Sequence, residues 1–204
     1  VLGNALAEAL PIVAPFFATF GPDDPMPRVQ SLDASDEYGA LDRGADLVIG
    51  THRPPASLAR ARLAEFPVNA YVRRDHPLAG RRDVTLRELA QHELLVPTTD
   101  SHARRALDAA VEIDGLPVRL VEFTSSQVAQ AVAAAGRGVA VVSDDPRYEL
   151  AALTVSSGSG DVLRIGLHAA WQPHHHGAGQ LAALVRRLRD YVRARNPLES
   201  DQTL

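Results

Sequence analysis

The chain has 204 residues, 46% hydrophobic and 23% charged, the balance of an ordinary soluble globular protein, which excludes a disordered tail, a coiled-coil rod and a collagen-like chain. Cysteine is absent, which removes disulfides, thiolate metal sites and a cysteine nucleophile; no apolar run reaches the roughly 18 residues of a bilayer span, and no secretory signal opens the chain. With 25 acids against 21 bases, all of them Arg, the formal net charge is −4, so the surface as a whole is not built to bind nucleic acid.

Val1–Asn4 reads as a strand running into a loop. From Ala5 to Phe20, Leu6, Leu10, Val13 and Phe17 recur at helical spacing. Pro11 and Pro15 fall inside that pattern, so the helix is short, kinked or late to begin. Arg28–Leu32 is a strand, a helix runs from Ser35 or Asp36 to Arg43 with Gly44 as its stop, and Leu47–Ile49 is a buried strand. Strand, helix, strand at this spacing predicts a βαβ unit. Thr51–Pro55 breaks the chain, Phe66–Val72 is the next strand, and Arg73–Pro77 is a polar turn.

Thr85-Leu86-Arg87-Glu88 has capping-box spacing and opens a short helix to Ala90. A second alternating block follows: strand Leu94–Val96, helix Ala103–Ile113 ended by Asp114-Gly115, strand Val118–Phe123, helix Gln127–Ala135 stopped by Gly136, and strand Val139–Val142. Asp145–Leu153 is predicted as one more short helix, Ser156–Gly160 as a loop tip and Val162–Ala170 as a strand. Leu181, Leu184, Val185, Leu188, Tyr191 and Val192 form the apolar stripe of a last helix. The fold class is α/β, with two units built on short parallel strands. The last strand and helix return to the first unit, so residues 1–70 and 166–204 make lobe I and 71–165 make lobe II. Phe66–Val72 and Val162–Ala170 are then two crossover strands over a central cleft.

Ligands of open α/β sheets sit beyond the carboxyl ends of the strands, at helix N-termini. The residues there are Asn4; Thr51 and His52; Thr98, Thr99 and Ser101; Thr124 and Ser125; and Ser143. These are the candidate effector contacts. Each short hydroxyl or amide is also explained by helix capping alone, but their recurrence at successive strand ends favours a site for a small polar or anionic ligand. His52 and Arg53 offer positive charge and Asp144 a partner for an ammonium group, so acid and amino acid both remain open.

The whole pattern resembles the effector-binding domain of LysR-type transcriptional regulators. Gly3-Asn4-Ala5 with Leu10-Pro11 is similar to the family's first strand, loop and Leu-Pro helix. Ala40–Ile49 resembles its "AL-x-x-G-x-(D)-L-A-I" segment. Asp75-His76-Pro77-Leu78-Ala79 with Val84–Leu89 resembles its "HPLA…V-x-L-x-(D/E)-L" stretch, the most specific match, and Val132–Ala140 resembles its "V-A-x-G-x-G-I-A" turn. The resemblance implies a two-lobed type 2 periplasmic-binding-protein-like fold and an inducer site in the cleft. It also implies a homodimer, or a tetramer in the full-length protein, and a DNA-binding helix-turn-helix upstream that is absent from this chain. Ser143 stands where the family usually has Pro, and Asn4 where Ser or Thr is common, so effector identity does not carry over.

Three other features carry weaker chemistry. His174-His175-His176 invites a metal, but adjacent histidines point different ways and a surface loop explains them, so no metal is expected. No Gly-x-Ser-x-Gly elbow, P-loop or dinucleotide fingerprint appears, so no cofactor and no catalysis are expected. Arg186, Arg187, Arg189, Arg193 and Arg195 read as the solvated face of the last helix rather than a DNA contact. The expectation is a cytoplasmic ligand-sensing domain that reaches DNA only through the missing N-terminal part and does not meet a membrane. The alternatives are an extracytoplasmic solute-binding protein of the same fold and, behind it, a serine hydrolase.

Overall fold

A computed structural model describes residues 2–4, 10–31 and 36–195, with the backbone alone for 2–4, 10–12, 30 and 31. The chain divides into two units, Val1–Glu65 with Gly166–Leu204 and Phe66–Ile165.

In the first unit, β1 (Leu2–Asn4), β2 (Val29–Ser31), β3 (Leu47–Gly50), β4 (Ala59–Pro67) and β11 (Arg164–Trp171) form a five-stranded sheet of order β2-β1-β3-β11-β4. β1 runs parallel to β2 and β3, whereas β11 pairs antiparallel with β3, His168 opposite Gly50. The helices are α1 (Leu10–Phe17), α2 (Gly39–Asp42) and α6 (Ala178–Arg195). The predicted helical stretch before Leu10 lies outside the described residues; within α1, Pro11 is the second residue and Pro15 lies inside the helix. The last helix buries Leu184, Val185, Leu188 and Val192, four of the six stripe residues. Its exposed arginines are partly engaged: Arg187 pairs with Asp24 and lies 5.5 Å from the Phe20 ring, and Arg195 covers Tyr191 at 4.4 Å. In the histidine loop, His175 Nε2 lies 2.9 Å from Asp46 Oδ1 and its Nδ1 accepts the Gly177 N–H. A carboxylate distant in sequence thus staples that loop.

The second unit holds β5 (Asn69–Val72), β6 (Asp83–Thr85), β7 (Glu93–Pro97), β8 (Arg119–Phe123), β9 (Val139–Val142) and β10 (Ala151–Ser156), in the order β6-β10-β5-β9-β7-β8. Strand alternation divides its apolar residues between two faces. Ala70, Val72, Leu94, Val96, Val139 and Val141 pack with α3 (Leu86–Leu89) and α4 (His102–Asp114). Tyr71, Leu95, Ala140 and Val142 pack with Ala129 and Ala133 of α5 (Ser126–Ala134). The capping box forms as predicted, Thr85 Oγ1 accepting the Glu88 N–H and Glu88 accepting the Thr85 N–H.

Three expectations are corrected. The strands are not all parallel, since β5 runs antiparallel to β9 and β10 as well as β11 to β3. The strand predicted at Phe66–Val72 is two strands: β4 begins at Ala59, and the break falls at Val68, whose N–H bonds Leu163 O at 2.8 Å. Chain passage from the first unit to the second thus lies within β4, after Glu65, and the return lies within β11. Arg60 and Arg62 alternate with small alanines there, a half-buried strand pattern with little apolar weight. The helix predicted at Asp145–Leu153 does not form. Gln130, buried on α5, donates to Asp145 O at 3.0 Å and accepts the Arg147 N–H at 2.8 Å, and the Tyr71 hydroxyl donates to Asp144 O at 2.5 Å. These side chains satisfy backbone groups that a helix would have used. The loop then turns through Tyr148 and Glu149, both at positive φ (54° and 57°), into β10.

Candidate functional site

In the second unit, β9, β7 and β8 are adjacent and parallel, so their carboxyl ends share one edge of the sheet. Thr98, Thr99 and Ser101 follow β7, Thr124 and Ser125 follow β8, and Ser143 follows β9. All six predicted contacts of this unit therefore stand in loops of the same sheet edge, beside the N-termini of α4 and α5. Thr98 Oγ1 bonds the Asp100 carboxylate, closing the turn that leads to α4, and Thr99 is exposed. Ser101 and Ser125 occupy the N-cap positions of α4 and α5, yet neither side chain makes a cap bond. Arg104, buried in the first turn of α4, ties that turn to Pro97 O (3.2 Å) and to Glu122 (2.6 Å) on β8. Tyr71 and Gln130 hold the Ser143 loop from below; burial raises the Tyr71 phenol to about 12, against the bond from Asn69 and with Asp145 and Asp144 adding to the rise.

In the first unit, β1 and β3 are parallel with Asn4 opposite Ile49, so Asn4 and Thr51 leave the same sheet edge. The Asn4 side chain lies outside the described residues. Thr51 Oγ1 is buried with no hydrogen-bond partner among the described residues.

His52 is gripped at three points by residues that sequence reasoning did not single out. Glu37 Oε1 lies 3.1 Å from its Nδ1, Glu37 Oε2 accepts its N–H at 3.4 Å, and the Tyr38 hydroxyl donates to its carbonyl at 2.5 Å. The Glu37 side chain is 1% exposed, against 44% for His52. Gly50 makes room for it: a Cβ there would stand 2.2 Å from Glu37 Oε2. A glycine closing an apolar strand was the available signal, since it marks close approach of another group. His168, opposite Gly50, is held below the usual histidine range by burial first, then by Arg62 and Arg53, with Glu37 and Glu65 opposing.

Two cavities are lined by other residues. One of about 760 Å³ in the first unit is lined by Pro25, Met26, His175, Leu181 and Arg187 among others, and one of about 320 Å³ in the second by Arg73, His76, His92 and Gly136 among others. Neither has a predicted contact among its described lining residues.

A family model described as the LysR substrate binding domain matches residues 9–194. Among solved structures, the chain is similar to an OxyR mutant from Corynebacterium glutamicum, with 17% identity and a TM-score of 0.79 over 100% of this chain and 68% of that one. It is also similar to the CcmR regulatory domain of Synechocystis in complex with 2-PG, with 19% identity and a TM-score of 0.73 over 91% of this chain and 95% of that one. A third is the BenM effector binding domain with its effector benzoate, at 16% identity and a TM-score of 0.75 over 100% and 95%. These likenesses show a shared fold, and the family match extends over nearly the whole sequence. The chain belongs to the LysR substrate-binding domain family.

Proposed function

We propose that this chain is the ligand-sensing part of a LysR-type transcriptional regulator, taking a small carboxylate or amino acid at its strand-end loops. The observation that carries the reading is the placement of Ser101 and Ser125 at the N-cap positions of α4 and α5, on one carboxyl edge of the sheet. They stand where first-turn N–H groups and the helix dipole favour an anion. Thr98, Thr99, Thr124 and Ser143 on the same edge, and Asn4, Thr51 and His52 in the first unit, are the remaining proposed contacts. The buried Thr51 hydroxyl, without a hydrogen-bond partner among the described residues, supports the assignment. The CcmR regulatory domain was solved with 2-PG and the BenM domain with its effector benzoate, which agrees with a small-molecule effector. In this reading the domain is a cytoplasmic homodimer without catalytic activity, and contact with DNA belongs to an upstream helix-turn-helix.

A thermal-shift screen of small carboxylates and amino acids tests it. A ligand at 100-fold its Kd adds about 2.7 kcal/mol of stability. Thr99→Ile is expected to abolish that shift while unfolding stays cooperative. A stabilising ligand whose affinity is indifferent to both Asn4 and Thr99 substitutions would show the site to be elsewhere.

A further inference from the structure

We infer that His76 is an acid-released latch: its neutral imidazole closes the turn Arg73–Ala79 on the Leu78 N–H, and protonation opens that turn beside the cavity of about 320 Å³ in the second unit. The turn follows β5, which is antiparallel to β9, so it stands at the sheet edge opposite the Ser143 loop. The proposed effector contacts make no use of it.

Pro77 has no N–H, so the first backbone donor past His76 is that of Leu78, and it donates to His76 Nδ1 at 3.2 Å. The ring nitrogen stands where the side-chain oxygen of an Asn or Asp closes an Asx turn. An accepting nitrogen carries no proton, so the neutral ring bears its hydrogen on Nε2. His76 and His92, with ring centroids 4.9 Å apart at a cavity, invite a metal ion. The Leu78 bond argues against one, because a metal on Nε2 would require a proton on Nδ1, directed at the Leu78 N–H. A proton added to Nδ1 sets N–H against N–H in the same way and breaks the bond. The cavity wall offers that imidazolium little compensation. Asp75 is bound through both oxygens by Arg73 at 2.5 Å, Arg73 and His92 are bases, and Glu93 is exposed; the other described lining residues are uncharged. Burial first, then His92, holds His76 below the usual histidine range, with Asp75 opposing. An open turn therefore takes up a proton more readily than a closed one. Closure is complete above the ordinary value of 6.5 and is lost as pH falls below it. The other bonds of the turn, His76 N–H to Arg73 O and Ala79 N–H to His76 O, both 2.9 Å, involve no titratable atom. Leu78 and Ala79 pack against the core of the second unit, so release of the latch loosens that packing.

The test follows amide hydrogen exchange at Leu78, corrected for its intrinsic pH dependence, from about pH 8 to about pH 5. The nitrogen resonances of the His76 ring are recorded over the same range. Protection of Leu78 is expected to fall with acid in the parent chain. It should stay level in His76→Asn, whose side-chain oxygen keeps the acceptor and does not titrate. A merely structural histidine would leave the two profiles alike, and equal profiles would overturn the inference. The parent ring should be the Nε2–H tautomer when neutral and should titrate below 6.5. An Nδ1–H tautomer, or a midpoint at or above 6.5, would overturn the inference even if His76→Asn failed to fold.

Discussion

Tyr71 shows how one buried hydroxyl connects the core of the second unit to a loop of the candidate site. Its ring packs between β5 and α5, and its hydroxyl bonds Asp144 O beside Ser143. Tyr71→Phe removes that bond and leaves a backbone acceptor short of a partner, so a loss of about 1 kcal/mol is expected in denaturant unfolding. The phenol also makes stability depend on pH. Burial raises it from 10.0 to about 12, so between those values the unfolded state has lost a proton that the folded state keeps. Stability is therefore complete below pH 10 and declines as pH rises towards 12. The alkaline limb of an unfolding curve should be shallower in Tyr71→Phe. The Glu37–His52 contact, by contrast, joins residues 15 positions apart through a loop, and no periodicity reports such a meeting. Only Gly50 hinted that something approaches there.

Elements whose ends are set by local chemistry were legible from sequence. Thr85 and Glu88 form the expected box, and Arg81 strengthens it: its guanidinium first, then the Thr85 N–H and hydroxyl, bring the Glu88 carboxyl down to about 2. The stabilisation this gives is present above the ordinary glutamate range and is lost as pH falls towards 2. Thr85→Ala should cost about 1 kcal/mol by calorimetry. Gly138 belongs to the same class, as the turn residue before β9. With φ of +146° and a Cβ position 2.6 Å from Glu93 O, Gly138→Ala is strained and obstructed, and a loss on the order of 2–3 kcal/mol is expected in urea. Gly115, at φ +60° with open space around its Cβ position, should lose only about 1 kcal/mol on the same change. Elements decided by distant partners were not legible. Gln130 claims the backbone of residues 145–147, and the helix predicted there gives way to a loop and β10. Likewise, β4 gains a place in its sheet from β11, about a hundred residues later in the chain.

At the scale of the whole molecule, two α/β units were legible because strand and helix signals alternate in both halves of the sequence. The carboxyl-edge placement of the site candidates followed from the same alternation. The proposed homodimer predicts a particle of twice 21.9 kDa in light scattering at high micromolar concentration; a persistent single-chain mass would remove the dimer from the proposal.

The two units also differ in when they can be completed. Phe66–Ile165 is one uninterrupted stretch containing all six strands of its sheet. The five-stranded sheet has β11 seated between β3 and β4, so this interior strand leaves the ribosome only after nearly all of the second unit. During synthesis the second unit can therefore be fully assembled while β3 and β4 still wait for the strand that joins them. A nascent chain arrested with residues 1–165 exposed should show a protease-resistant core confined to 66–165, and resistance should extend to the earlier residues only once β11 has emerged. Between these two units, order of birth and order of folding are reversed: the unit whose strands begin earlier is the one completed later.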